Sequence, residues 1–436
     1  MEEPPACTRM EAMFSRLSSS RGALGPLAAF AGGALPSTVL SACAGALLPL
    51  LSSRTVLPLR AACKEAAAAV AQHPWEDSET VIHGRLGSWR ACLPRARAAN
   101  VAQTRQGGAA GRAAPLLDAD FVHLQGLRKL TMSGCTSVTD AAFAHLAGIH
   151  TLDMSECDQD GVTDAAFAHL RGIHTLNVSG CFQVSDAAFE HLRGLHALDV
   201  SHCTQAVLTD AAFAHLRGIH TLDMSGCSQA GITDAAFAHL RGIHTLRMSG
   251  CAQEGITGAA FANLAGIHTL DMSECAQDGI TDAAFAHLRG IHALNMSSCN
   301  QDGITDAAFA HLCGIHTLDM NGCCQEGITD DAFAHLAGIH TLNMSGCWQE
   351  GITDTAFAHL RGIHTLDMTA CSQDGITDAA LEHLAGIQSL DLSYSSAGIT
   401  GRSLACLAGC ARLFVAEDRP DLASAAKSLG LPCIMY

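Results

Sequence analysis

Lysine is nearly missing from this chain. Only Lys64, Lys129 and Lys427 occur among 436 residues, and 42 acidic against 25 basic side chains leave a formal charge of -17. So few cations cannot neutralise a run of phosphates, which excludes nucleic acid as the main partner. Neither a G-x-x-x-x-G-K-[ST] phosphate loop nor a G-x-S-x-G nucleophile elbow is present, so nucleotide hydrolysis and serine-type acyl transfer lack their usual machinery. Cys406 and Cys410, or Cys323 and Cys324, lack the second pair that a zinc site wants. The start, Met1-Glu2-Glu3, lacks the basic region of a signal peptide. An uncharged stretch over 22–53 is long enough to span a bilayer, but Pro26, Pro36 and Pro49 interrupt it and Ser37, Thr38 and Ser41 dilute it, so no membrane anchor is expected.

What the chain has is repetition. The run Ile149-His150-Thr151-Leu152-Asp153-Met154-Ser155-Glu156-Cys157, then Gly161-Val162-Thr163-Asp164-Ala165-Ala166-Phe167-Ala168-His169-Leu170-Arg171-Gly172, recurs with its anchoring leucine at Leu130, Leu152, Leu176 and on to Leu390, in steps of 22 or 24 residues. A fixed period in that range means a solenoid, whose units cannot bury an apolar face alone and stack to do so. An array of this kind is one quasi-linear unit, overriding the two or three domains that length alone would suggest.

One unit can be read from its pattern. Thr151-Leu152-Asp153-Met154-Ser155 alternates polar and apolar residues, which predicts a short strand with Leu152 and Met154 toward a core and Thr151, Asp153 and Ser155 outward. The Thr163 hydroxyl or the Asp164 carboxylate can accept from the open N–H groups of a helix over 165–170. That helix would bury Val162, Phe167 and Leu170, and Gly172 would supply the left-handed stop.

The stretch from Ile149 to Cys157 fits L-x-x-L-x-L-x-x-C, and Val162-Thr163-Asp164 fits the I-T-D that opens the helical half. The units therefore resemble the cysteine-containing leucine-rich repeat over about 116–413. The helical half is roughly four residues shorter than is usual for that type, and most copies carry two extra residues after the cysteine. The resemblance implies an α/β leucine-rich-repeat solenoid, with parallel strands on its concave face and short helices on its convex face.

Eleven of the 20 cysteines form one column, from Cys135, Cys157 and Cys181 to Cys347 and Cys371, and read as small buried thiols. This suits a reducing, cytoplasmic or nuclear compartment. The glycosylation sequons that begin at Asn177, Asn295 and Asn343 agree, because they fall within expected strands. Histidine forms two columns, one including His145, His169, His191, His215 and His239 on the helical half, the other His150, His174, His196, His220 and His244 before the strands. Metal sites combine different ligands in one geometry, so these rows are read as packing, and neither metal nor cofactor is expected. Charged imidazoles in a row would repel, so stability should fall on acidification.

Candidate binding residues lie where the copies face outward or differ. The outward strand position carries Asp153, Asp199, Asp223, Asp271, Asp319, Asp367 and Asp391, with Asn177, Asn295 and Asn343 between them and Arg247 interrupting. With strands about 4.8 Å apart this acidic stripe runs roughly 50 Å, and it would favour a basic protein partner. The most variable site follows the column cysteine, where Phe182 and Trp348 are large aromatics of the kind that anchor interfaces. Cysteine, histidine and aspartate occur as columns, and a residue present in every copy is structural more often than catalytic, so no enzyme is expected.

Ahead of the array, Leu35-Pro36, Val39-Leu40, Leu57-x-Leu59 with Arg60, Cys63-Lys64 and a closing Trp75 recur at helical spacings. This segment resembles an F-box, although the alanines over 66–69 stand where that family has bulkier residues. F-box and leucine-rich repeats together imply a substrate-recognition subunit of a cullin-type ubiquitin ligase, with Leu35, Pro36, Val39, Leu40, Leu57, Leu59 and Trp75 docking a Skp-type adaptor. The alternative is a scaffold unrelated to ubiquitin, in which the segment only caps the array. The expected division is a disordered segment over 1–33, an F-box-like segment over 34–78, a degenerate capping repeat and loop over 79–115, the solenoid over 116–413 and a C-terminal cap over 414–436 that covers the last open edge.

Overall fold

The computed structural model describes residues 64–76, 81–82, 86–103 and 115–435. Leu35, Pro36, Val39, Leu40, Leu57 and Leu59 lie outside these residues, as do the 22–53 stretch and the segment over 1–33.

Among the described residues, fifteen strands from Ala98–Asn100 to Cys433–Met435 form one parallel sheet in which spatial order equals chain order. Register follows the period, with Leu130, Leu152, Leu176 and Leu198 paired strand to strand. The expected strand is shorter than its pattern: Thr151–Asp153 is extended, and Met154 already pairs past the strand end through its N–H to the Asn177 carbonyl at 2.9 Å. Each unit returns through one α-turn such as Asp164–Phe167, in some copies followed by a 3-10 turn such as Ala168–Leu170. The eight residues between the cap Thr163 and Gly172 cannot hold more, and Gly172 closes the turn at φ 82°.

The interior is continuous. Leu152, Met154, Cys157, Val162, Ala166, Phe167, Leu170 and Ile173 are buried together with their counterparts in one cluster running from Leu86 to Leu431. The column sulfurs form the single interior row that the pattern requires. Each thiol reaches a carbonyl of the preceding unit, as Cys251 does to Met224 at 3.1 Å and Cys323 to Met296 at 3.0 Å. Burial pushes the thiols of Cys157, Cys227 and Cys299 up to about 12, so they stay protonated and inert.

Of the two candidate caps at the helix start, the hydroxyl takes the role. Thr163 caps its helix, accepting from the Ala165 N–H at 3.2 Å, while Asp164 reaches across to the next unit and accepts from Ser185 N at 3.0 Å and Ser185 Oγ at 2.5 Å. The same two-pronged rung recurs from Asp118 with Thr139 to Asp378 with Thr400. Among the described residues it fails where Gly258 replaces the aspartate, and there Thr281 makes no side-chain capping bond.

At the N-terminal end a helix, Lys64–Gln72, leads to Trp75, which is 2% exposed and packs on Val70, Leu93 and Ala96. Its indole donates to the Val70 carbonyl at 2.9 Å, and its own carbonyl accepts from Arg97 and Ala98. In the array the His150 carbonyl accepts from His174 and Thr175 in the same way, so Trp75 takes a repeat position at the edge of the sheet. Val81 bridges Asn100, and Trp89 lies on the intervening helix Leu86–Cys92. At the C-terminal end, beyond the helix Pro420–Ser428, Cys433–Met435 pairs with the strand Arg412–Val415 and is the last strand of the sheet.

Candidate functional site

Because the sheet is one layer, every outward strand side chain falls into a row along the concave face. In most units an imidazole precedes the strand, and along it follow threonine or alanine, then aspartate or asparagine, then serine; Arg247, Asn321 and Thr369 are exceptions.

The acidic row has a local task that sequence reading missed. At ten of the eleven positions from Asp153 to Asp391, a side-chain oxygen accepts from the backbone N–H two residues on, at 2.8 to 3.1 Å. This Asx turn bends the chain out of the strand. It needs an oxygen and no charge, which is why Asn177, Asn295 and Asn343 serve as well as their neighbours. In Asp199, Asp271 and Asp367 the same oxygen also takes the hydroxyl at that residue, leaving the second oxygen for a ligand. Arg247 stands in register between Asp223 and Asp271, with its guanidinium 4.0 Å from Asp223.

Phe182 and Trp348 are 46% and 65% exposed on the rim. The Trp348 indole N–H points at the Cys324 sulfur of the adjoining loop, so the ring leans along the array and keeps most of its surface open. Six rows of small or polar side chains separate the two aromatics, which therefore do not form one patch.

A third row escaped the sequence reading. Gln229, Gln253, Gln277, Gln301, Gln325, Gln349 and Gln373, two residues after the column cysteine, are buried. The amide of Gln277 donates to the Cys251 carbonyl at 2.7 Å and that of Gln349 to the Cys323 carbonyl at 2.8 Å, while their Oε1 atoms have no donor among the described residues. Glutamine suggests surface, but its constancy beside the most variable site was the available signal.

Ten imidazoles from His150 to His364 stack face to face, centroids 4.4 to 4.6 Å apart and planes inclined by 12° to 28°. Where a threonine follows, ring Nδ1 lies 3.1 to 3.4 Å from its hydroxyl. Loss of hydration between the rings, and then the neighbouring imidazoles, hold His174, His244 and His316 below the ordinary histidine value. Several helical-half histidines meet arginines of the preceding unit instead, as where Arg217 Nε donates to His239 Nδ1 at 3.4 Å, while His145 meets Gln125. No group of three or more metal-type ligands converges among the described residues, and no helix among them is long and apolar enough to cross a membrane.

No family model and no curated protein matches the chain. Solved structures do. A leucine-rich-repeat protein of Leptospira interrogans superposes with a TM-score of 0.63 at 15% identity, covering 86% of this chain and 98% of that one. The mouse RP105/MD-1 complex gives 0.59 at 16%, covering 84% and 64%. The Drosophila Toll–Spatzle complex gives 0.54 at 14%, covering 77% of this chain and 56% of the one matched, so this chain spans little more than half of that length. At such identities the likeness is one of fold, and the fold is the leucine-rich-repeat solenoid.

Proposed function

We propose that this solenoid captures a protein through its concave face and catalyses nothing itself. One observation carries the reading: a face of eleven successive outward positions, unpaired with any other layer, presents seven carboxylates. Among the described residues only Asp319 gives its second oxygen to a neighbouring asparagine and only Asp223 faces Arg247. Such a face fits a basic protein segment. Two of the similar structures are complexes by name, Toll with Spatzle and RP105 with MD-1, which supports use of the fold in binding. The test is a photo-crosslinking side chain at Thr245, on the concave face, or at Ala238, on the helical side. A bound protein should crosslink from the first position only; equal yields from both would refute the assignment.

A finer reading makes the chain the substrate-recognition subunit of a cullin-type ubiquitin ligase, acting in the cytoplasm or nucleus. It rests on the F-box-like pattern from Leu35 to Trp75. Trp75 supports a rigid join, since its carbonyl holds the first strand and would fix an adaptor relative to the sheet. The same burial supports a plain cap. Co-purification with a Skp-type adaptor, abolished by deleting residues 35–75, would establish the ligase reading; protein capture without adaptor binding would leave the scaffold.

A further inference from the structure

Two titratable rows run along the array, one at the entry to the strands and one on their outward face. The imidazole stack runs from His150 to His364 without a gap, and three residues along each strand the outward acidic row runs from Asp153 to Asp391. We propose that the stack is a proton gate for the outward face: neutral, it admits a basic protein segment to the carboxylates, and protonated, it drives that segment off. The inference rests on the reading of the face as a binding surface for such a segment.

The charges are matched in number. Seven aspartates and Arg247 leave the outward row six negative charges, so protonation of six of the ten rings cancels it. The rings are exposed or half-buried, so protons reach them directly. At His174, His244 and His316 the surroundings favour the neutral form. Within the stack each ring faces other rings, and at the eight rings followed by threonine Nδ1 meets its hydroxyl. On the N-terminal side the row is continued by Arg128, next to Lys129, and on the other side by the uncharged Gln388. The turns that lead into the strands add Arg171, Arg193, Arg217, Arg241, Arg289 and Arg361, three residues before the rings that follow. Among the described residues no carboxylate forms an ion pair with a stacked ring. Neighbours 4.5 Å apart repel when both are charged, so a proton on one ring disfavours a proton on the next. The lowered His174, His244 and His316 agree with that repulsion.

The test uses the full chain and an extended oligoarginine peptide as probe, at fixed ionic strength. The peptide should bind at pH 7.5 and at least about tenfold more weakly at pH 5.5, and binding near pH 6 should release protons, read by calorimetry in two buffers of different ionisation heat. Replacing His220, His244, His268 and His292 by glutamine should shrink both effects while leaving binding at pH 7.5 in place. Binding at pH 7.5 that is unchanged at pH 5.5, or that releases no protons, overturns the gate and leaves the acidic face standing. No binding at pH 7.5 overturns the reading of the face itself. Proton release by the wild-type chain needs no variant, so the result does not depend on whether the glutamine chain folds.

Discussion

At the residue scale, the repeat is joined by side chains whose partners lie one period away. Asp306 accepts from Thr329 N at 2.7 Å and from Thr329 Oγ1 at 2.7 Å. Bonds to a charged acceptor contribute about 1.5–3 kcal/mol, so Asp306→Ala should lower unfolding free energy in denaturant by roughly that amount. Gly258 offers the converse. A Cβ there would sit 3.3 Å from the Gly279 carbonyl and 3.4 Å from the Ala284 Cβ, a tight fit that needs a shift of a few tenths of an ångström. Gly258→Asp should restore the rung to Thr281 and stabilise by about 1 kcal/mol. The position before the column cysteine is left-handed, held by Gly226 at φ 68° in one copy and by Ala370 at φ 57° in another. Ala370→Gly should therefore raise stability by about 1 kcal/mol. From the sequence, Asp164 was legible as a helix-start residue and Asp153 as outward. Their bonds across and along the units were not, because periodicity says which residues recur and not which atoms meet.

At the element scale, neither half of a unit persists alone. Three-residue strands and single helical turns lie far below the length at which a helix holds in water, and the buried phenylalanines supply what is missing. Phe237 is fully buried, and Phe237→Ala should cost about 3–5 kcal/mol. The thiol row gives a second measure of the same packing. Exposed Cys313, Cys324 and Cys406 should react with a thiol reagent at once, and column cysteines such as Cys251 only as fast as the chain opens; prompt labelling of Cys251 would deny the row its interior place. The period, the strand and the cysteine column were plain in the sequence because they repeat a dozen times. The ends were less so: the bonds that tie the Trp75 carbonyl to Arg97 and Ala98 at the sheet edge are backbone bonds that no spacing encodes.

At the scale of the whole molecule, a -17 chain with ten stacked imidazoles responds to pH as a body. His174, His244 and His316 hold their protons less tightly folded than unfolded. Their contribution is complete above the unfolded value near 6.5 and is lost as pH falls through the lower folded values. The melting temperature should fall from about pH 7.5 to 5.5, and a flat profile would contradict the stack. The concave face carries the larger claim, and the asparagines at 177, 295 and 343 show how to test it, since they keep the Asx turn without charge. In a chain with Asp199, Asp223, Asp271 and Asp319 all replaced by asparagine, the affinity for the captured basic segment is the decisive measurement. We expect an unchanged melting temperature at pH 7.5 and binding weakened at least about tenfold; unchanged affinity in an equally stable chain would contradict the assignment of this face as the binding surface.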